Sequence, residues 1–76
     1  MNRERRKSLQ EIADTLAELQ EQLENLKYEE EEYRDNMPEN LQASERYEKA
    51  ETAVDAMESA AYSVSEAISY IETAQE

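Results

Sequence analysis

The sequence predicts an all-α protein: an antiparallel hairpin of two long helices that associates into a four-helix bundle or a higher oligomer. Two stretches place apolar residues in steps of three and four, the period of a helix that shares a seam with another helix. One break separates them, and the 76 residues include one proline and no glycine. The stripes are Leu9, Ile12, Leu16, Leu19, Leu23, Leu26 and Tyr33, then Tyr47, Ala50, Val54, Met57, Ala61, Val64, Ile68 and Ile71.

The first helix is expected over about residues 3–35, a stretch rich in leucine, glutamate and glutamine, which favour helices. Residues 3–7 hold four of the eight basic residues, and cations at the start of a helix oppose its dipole. In the antiparallel arrangement Arg6 faces Glu72. We therefore expect a charge pair at the open end of the hairpin, with a basic patch for nucleic acid or lipid headgroups as the alternative.

The turn is expected over residues 36–43, because Pro38 cannot lie inside a continuing helix. Asn36 and Glu39 have the spacing of a capping box, with asparagine as the cap. We expect a short helical turn here, with Leu41 packed against the end of the seam.

The second helix is expected over about residues 44–74, with Ser44 as its cap. Folding the two stripes together in antiparallel fashion pairs residues whose numbers sum to 80, so the sequence predicts one axial register. The expected pairs are Leu9 with Ile71, Ile12 with Ile68, Leu16 with Val64, Leu19 with Ala61, Leu23 with Met57, Leu26 with Val54, and Tyr33 with Tyr47.

The turn also carries a resemblance. Four glutamates at 29–32 precede Asn36-Met37-Pro38-Glu39-Asn40-Leu41-Gln42, and Ser44-Glu45-Arg46 follow. This segment resembles a family of short, uncharacterised acidic helical proteins of Firmicutes and their phages, which share an Asn-x-Pro-Glu-x-x-Gln-x-Ser-Glu-Arg turn between acidic helices. The chain departs from many members in having Tyr47 where they have glycine. The resemblance implies a phage or mobile-element accessory protein, and it implies no mechanism.

Composition argues against several classes of function. Without histidine or cysteine the usual zinc and thiolate chemistry is absent, and without glycine a P-loop, a dinucleotide-binding loop and an EF-hand are excluded. We therefore predict no enzymatic activity and no cofactor or metal. The net charge of −12 opposes direct binding to nucleic acid or an anionic membrane. No membrane-spanning stretch or secretory signal is visible, so a cytoplasmic protein is expected.

The two edges of the hairpin are expected to differ. One edge carries Arg6, Ala13, Gln20 and Lys27 and is expected to be a solvent-tolerant border with some complementary charge from the second helix. Along the other edge the second helix repeats alanine every seven residues; small, uncharged residues let another helix approach closely, although alanine is also simply the best helix former. Because two helices of this size rarely form a sufficient core, we predict a homo-oligomer, most simply a dimer. The predicted self-association residues are Ala53, Ala56, Ala60, Ser63, Ala67, Tyr70 and Ala74.

The tip of the hairpin concentrates the negative charge. Residues 29–58 contain eleven acidic and three basic residues, a net charge of −8. Such a field attracts basic surfaces, and this predicts a contact for a basic, nucleic-acid-binding host protein. The alternative is a solvated face that only keeps an oligomer soluble. The predicted partner-binding residues are Glu29, Glu31, Glu32, Asp35, Glu39, Glu45 and Glu48.

Three hypotheses follow. The first is a non-enzymatic interaction protein of phage type that self-associates through helix 2 and binds, and inhibits, a basic host protein through its acidic tip, including in an anti-defence role. The second is a purely structural homo-oligomer. The third is an oligomer that holds a small anionic ligand, such as a signalling nucleotide, between subunits near Arg3, Arg5, Arg6, Tyr62 or Tyr70.

Overall fold

The computed structural model describes all 76 residues as two long antiparallel helices that pack against each other. Helix α1 spans Arg3–Asp35 and helix α2 spans Glu45–Ala74, and a short 3₁₀ helix at Glu39–Leu41 lies between them. The hairpin is a thin rod with principal extents of 60 × 14 × 12 Å. The predicted all-α hairpin is confirmed.

Side chains cap both long helices where they begin. The Asn2 side chain accepts a hydrogen bond of 2.8 Å from the backbone N–H of Arg5. The Ser44 hydroxyl accepts one of 3.3 Å from the N–H of Tyr47, and it also donates to the carbonyl of Leu41. Each cap satisfies a backbone donor that has no partner within the helix. The predicted Ser44 cap is confirmed, and this residue also ties α2 to the turn.

The turn differs from the prediction in two details. Asn36 ends α1, donating its backbone N–H to Glu32, and the 3₁₀ helix has Pro38 before it and no side-chain cap. Met37 is buried, with 7% of its surface exposed, whereas Leu41 is 37% exposed. The proposed capping box is therefore wrong, and the residue that is buried at the end of the seam is Met37 rather than Leu41. The reason is that Pro38 has extended backbone angles, so the chain leaves α1 next to Met37, and Met37 closes the end of the seam.

Helix α2 presents the predicted stripe to α1. Ala50, Val54 and Ala61 are buried, and the other five members of the stripe are half-buried. Their spacing of three and four matches the turn of the helix, so they form one continuous ridge.

Helix α1 is rotated about its axis relative to the prediction. Its inward positions include Ala13, which is buried, and Gln20, whose amide donates a 3.1 Å hydrogen bond to the carbonyl of Ala61. The predicted axial register is retained to within one residue, since Gln20 reaches Ala61 where Leu19 was expected. The prediction that Ala13 lies in a solvent-tolerant border is wrong, since Ala13 is buried, whereas Gln20 and Lys27 of the same column are half-buried. The buried or half-buried residues that repeat along this side of α1 are Leu9, Ala13, Leu16, Gln20, Leu23, Lys27, Glu30 and Arg34.

The rotation leaves four apolar residues of α1 on the outside. They recur every seven residues, and 48 to 55% of the surface of each is exposed. The four predicted seam pairs that involve them are wrong. Residues spaced by seven line up along the helix and form a column. The apolar arc of α1 is three such columns wide, and the single helix α2 can cover only two of them. The exposed residues are Ile12, Leu19, Leu26 and Tyr33.

The hairpin alone buries little. Only five residues are buried, and none of the large side chains is completely enclosed. The chain exposes 5873 Å², whereas a compact monomer of 8.9 kDa would expose about 4,800 Å². The fold thus leaves roughly 1,000 Å² more surface in water than a compact protein of this mass does.

Candidate interaction surfaces

The predicted partner-binding carboxylates all lie at the closed end of the rod. Those on α1 occupy its last two turns, those on α2 occupy its first turn, and Glu39 lies in the 3₁₀ helix between the two helices. Six of the seven residues are exposed, and Glu31 is half-buried. The hairpin therefore gathers these acids around one end, and what they bind stays a prediction.

Few cations neutralise this end. Arg34 pairs with its neighbour Asp35 at 3.0 Å, and Lys49 pairs with Glu45 at 3.2 Å. The hydrogen bond that Arg34 donates to the Asp35 carboxylate raises the pKa of Arg34 above its ordinary value, so this guanidinium keeps its charge. These are the two ion pairs of the chain, and the remaining carboxylates of the tip have no basic partner within it.

Two open grooves flank the tip. One, of about 480 Å³, lies beside Tyr33, Met37 and Leu41. The other, of about 440 Å³, lies between Tyr33 on α1 and Arg46 and Lys49 on α2. The second groove places the exposed column of α1 on the same side of the hairpin as Arg46 and Lys49.

That side is one broad face made by both helices. Arg46 lies one heptad before Ala53, and Lys49 lies one heptad before Ala56, so the alanine edge of α2 continues the side that faces the exposed column of α1. We call it the apolar face. It consists of Ile12, Leu19, Leu26 and Tyr33 on α1 and Ala53, Ala56, Ala60, Ser63, Ala67, Tyr70 and Ala74 on α2.

The predicted self-association residues supply the α2 half of this face. Ala53 and Ala67 are half-buried beside the seam, and the other five are exposed. That a second chain covers these seven residues stays a prediction. The α1 half was missed at the sequence level, although Ala13 and Ala17 beside the leucines show that the apolar arc is too wide for one partner helix.

The apolar face is nearly free of charge. On α1 its positions and the adjacent column at Ser8, Thr15 and Gln22 hold no charged residue, and the seven positions that α2 contributes to the face are also uncharged. Charges enter only at the two ends of the face, as Glu29, Arg46 and Lys49 at the tip and Arg5 at the open end. In a chain that is 37% charged, such depletion is the composition of an interface core.

The opposite side of the hairpin is polar. A groove of about 270 Å³ lies there, lined by Gln20, Glu24, Lys27, Glu58, Ala61, Tyr62 and Ser65. Tyr62 on this side and Tyr70 on the apolar face are similarly exposed, at 67% and 73%. The two tyrosines proposed to line an anion pocket therefore lie on different sides of one hairpin.

The open end carries unpaired cations. Arg3, Arg5, Arg6 and Lys7 are exposed and take part in neither ion pair, and Arg6 does not pair with Glu72. The predicted charge pair is wrong, because both side chains are exposed to solvent and do not come within ion-pair distance of each other. None of the four surface grooves is lined by these cations.

No cluster of three or more acidic side chains is arranged so that it could hold a metal ion. Neither long helix has a stretch apolar enough to cross a membrane. Comparison with family models, with curated proteins and with solved structures found no match to this chain. The resemblance of its turn to the phage-associated family stays a prediction.

Proposed function

We propose that the protein is a non-enzymatic interaction protein that self-associates and uses its acidic tip to bind a basic protein. The observation that carries this proposal is the unneutralised charge of the tip, a net −8 over residues 29–58 with only two ion pairs nearby. The end of α1, the 3₁₀ helix and the start of α2 hold these carboxylates close together, so they present a concentrated negative charge to a partner.

The partner chemistry that fits the tip is a nucleic-acid-binding surface. Such surfaces use clustered lysine and arginine to contact phosphates. A rigid array of carboxylates can occupy those contacts in place of phosphates and block the nucleic acid. Inhibition of a host protein in this way suits an accessory protein of a phage or mobile element, which is the setting that the resemblance of the turn implies.

The test is competition with DNA for purified basic proteins. The unaltered chain should displace a DNA duplex from its target at low salt, and the effect should weaken as salt screens the charges. A fourfold charge reversal at the tip should abolish displacement, while the same reversal on the outer side of α1 should preserve it. The tip variant is Glu31, Glu32, Glu45 and Glu48 to lysine, and its control is Glu11, Asp14, Glu18 and Glu21 to lysine.

Equal loss of DNA displacement in the two variants would show that only net charge matters, and it would contradict the proposal that the tip is the binding site. Failure of the unaltered chain to displace DNA from any target in a broad panel would also contradict the proposal.

A purely structural homo-oligomer is the second candidate, and the apolar face favours it. Under this alternative, Ala60→Glu and Ala67→Glu alter the activity of the protein in its host while the tip variant does not. Under the first candidate, the tip variant loses activity even where the oligomer is intact.

A further inference from the structure

We propose that the apolar face is covered by a second copy of the same chain, and that the two hairpins lie antiparallel, with the tip of each beside the open end of the other. This inference rests on the self-association in the proposed function and is independent of what the tip binds. It differs from association through helix 2 alone, because α1 supplies half of the contact.

The exposed surface area of the hairpin supports a second copy of the chain as the partner that covers the apolar face. The chain exposes 5873 Å², about 1,000 Å² more than a compact protein of its mass. A standard interface buries about 800 Å² from each partner. One face-to-face contact along the rod would therefore bring the exposed area per chain to that of an ordinary small protein.

The pattern of α1 also requires two neighbours. Leu9, Leu16 and Leu23 turn toward α2 together with Ala13, whereas Leu19 and its column turn to the adjacent side. An apolar arc of three columns is the pattern of a helix in a bundle, where each helix contacts two others. In the hairpin only one of those neighbours is present.

The α1 column is symmetric about Leu19. Ile12 and Leu26 lie seven residues on either side of it, so a two-fold axis through Leu19 places Ile12 of each copy against Leu26 of the other. A two-fold interface must be self-complementary in this way, because each patch meets its own copy. The same axis pairs Tyr33 with Arg5 of the second copy, an arginine that has no ion pair in the hairpin.

The α2 edge is symmetric about Ala60, which lies at the same height on the rod, since Gln20 bonds Ala61. Ala53 and Ala67 lie seven residues on either side of it. Antiparallel α2 helices can therefore approach closely through alanine along this edge. In the neighbouring column, the axis places Lys49 of one copy beside Tyr70 of the other.

Charge selects the antiparallel arrangement over the parallel one. Parallel hairpins would bring two tips together, each with a net charge of −8 over residues 29–58. Antiparallel hairpins instead bring each tip beside Arg3, Arg5, Arg6 and Lys7 of the second copy, which are unpaired in the hairpin. Only the side of the tip that carries Glu29 and Tyr33 is covered, so Glu31, Glu32, Asp35, Glu45 and Glu48 stay accessible.

Cysteine cross-linking tests the axis directly, because the chain has no cysteine of its own. Ala60→Cys should form a disulfide-linked dimer under mild oxidation, since the two copies of this position meet at the axis. Ser59→Cys, one residue away and on the outside of α2, is the matched control and should stay monomeric on a denaturing gel. Ala53→Cys alone should not cross-link, because its copies lie about 21 Å apart along the axis.

Sedimentation equilibrium of the full chain measures the association itself. At about 10 µM the mass should be twice 8.9 kDa. Tyr70→Lys should raise the dissociation constant by at least about tenfold, because it removes an aromatic contact and places a lysine beside Lys49 of the second copy. Tyr62→Lys makes the same change on the polar side and should leave the constant unchanged.

The results of these experiments distinguish failure of the antiparallel arrangement from failure of self-association. A chain that sediments as a folded monomer overturns both this inference and the self-association in the proposed function. A dimer in which Ser59→Cys or Ala53→Cys cross-links as readily as Ala60→Cys overturns the antiparallel face while leaving self-association in place. Equal weakening by Tyr62→Lys and Tyr70→Lys also overturns the face. Binding of a basic protein by the tip is measured in a separate experiment, and its outcome does not affect the interpretation of these results.

Discussion

Replacing Leu19 by alanine should weaken the dimer without unfolding the hairpin. Leu19 lies at the centre of the apolar face, and half of its surface is exposed in the isolated hairpin. Alanine favours helices more than leucine does, so the substitution does not disturb α1 itself. The loss therefore falls mainly on the contact between the two copies.

The magnitude follows from the exposed half of the side chain. Complete burial of a leucine contributes about 2 kcal/mol, so burial of the exposed half contributes about 1 kcal/mol per copy. Both copies of Leu19 meet at the two-fold axis, so the dimer should lose about 2 kcal/mol, and its dissociation constant should rise about 30-fold.

The assay is sedimentation equilibrium over a range of concentrations, with circular dichroism to monitor helix content. Tyr28→Ala is the matched control, because Tyr28 is 58% exposed on the outside of α1, where the Lys27 ammonium lies 4.9 Å from the centre of its ring. This control should leave the dissociation constant unchanged. If both variants shift the constant equally, or if Leu19→Ala shifts it less than about twofold, the α1 half of the face is refuted.

Three further substitutions test the fold by urea denaturation at fixed protein concentration. Ser44→Ala should lower the free energy of unfolding by about 1 kcal/mol, because it removes the cap of α2. Ser59→Ala on the outside of the same helix should leave the free energy of unfolding unchanged. Ala13→Leu should cost about 1 to 3 kcal/mol by overpacking the buried seam, whereas Ala17→Leu at an exposed position should be neutral. Met37→Ala should cost about 2 kcal/mol, because Met37 and not Leu41 closes the end of the seam.

The hairpin could be predicted from the sequence because its signals are local and agree with one another. The apolar period gives two helices, Pro38 ends the first, and Ser44 starts the second. The turn around Met37 could not be predicted in detail, since Asn36 suits both the end of one helix and the start of another. Only the backbone path around Pro38 decides between them.

The rotation of α1 could not be derived from periodicity alone. Columns through Ile12, Leu9 and Ala13 are adjacent on the helix, and the period does not show which two face α2. Gln20 and Lys27 were expected outside because they are polar. Yet the Gln20 amide bonds a backbone carbonyl, and a long lysine can lie along a seam with its ammonium in water.

The candidate surfaces were predictable to different degrees. The acids of the tip and the alanine edge follow from heptad position, so the sequence places them on the correct parts of the rod. The joining of the alanine edge with Leu19 and its column into one face depends on how α1 is rotated, and this required the structure. Whether the tip binds a basic protein depends on that partner and stays a prediction.

The distance between two spin labels at the tips tests the antiparallel dimer most directly. Asn40→Cys places one label in the exposed turn of each chain, and pulsed dipolar spectroscopy measures the distance between them. An antiparallel dimer predicts a separation near the 60 Å length of the rod. A separation below about 20 Å, as expected for hairpins whose tips pack side by side, or the absence of any coupling between labels, would contradict the account.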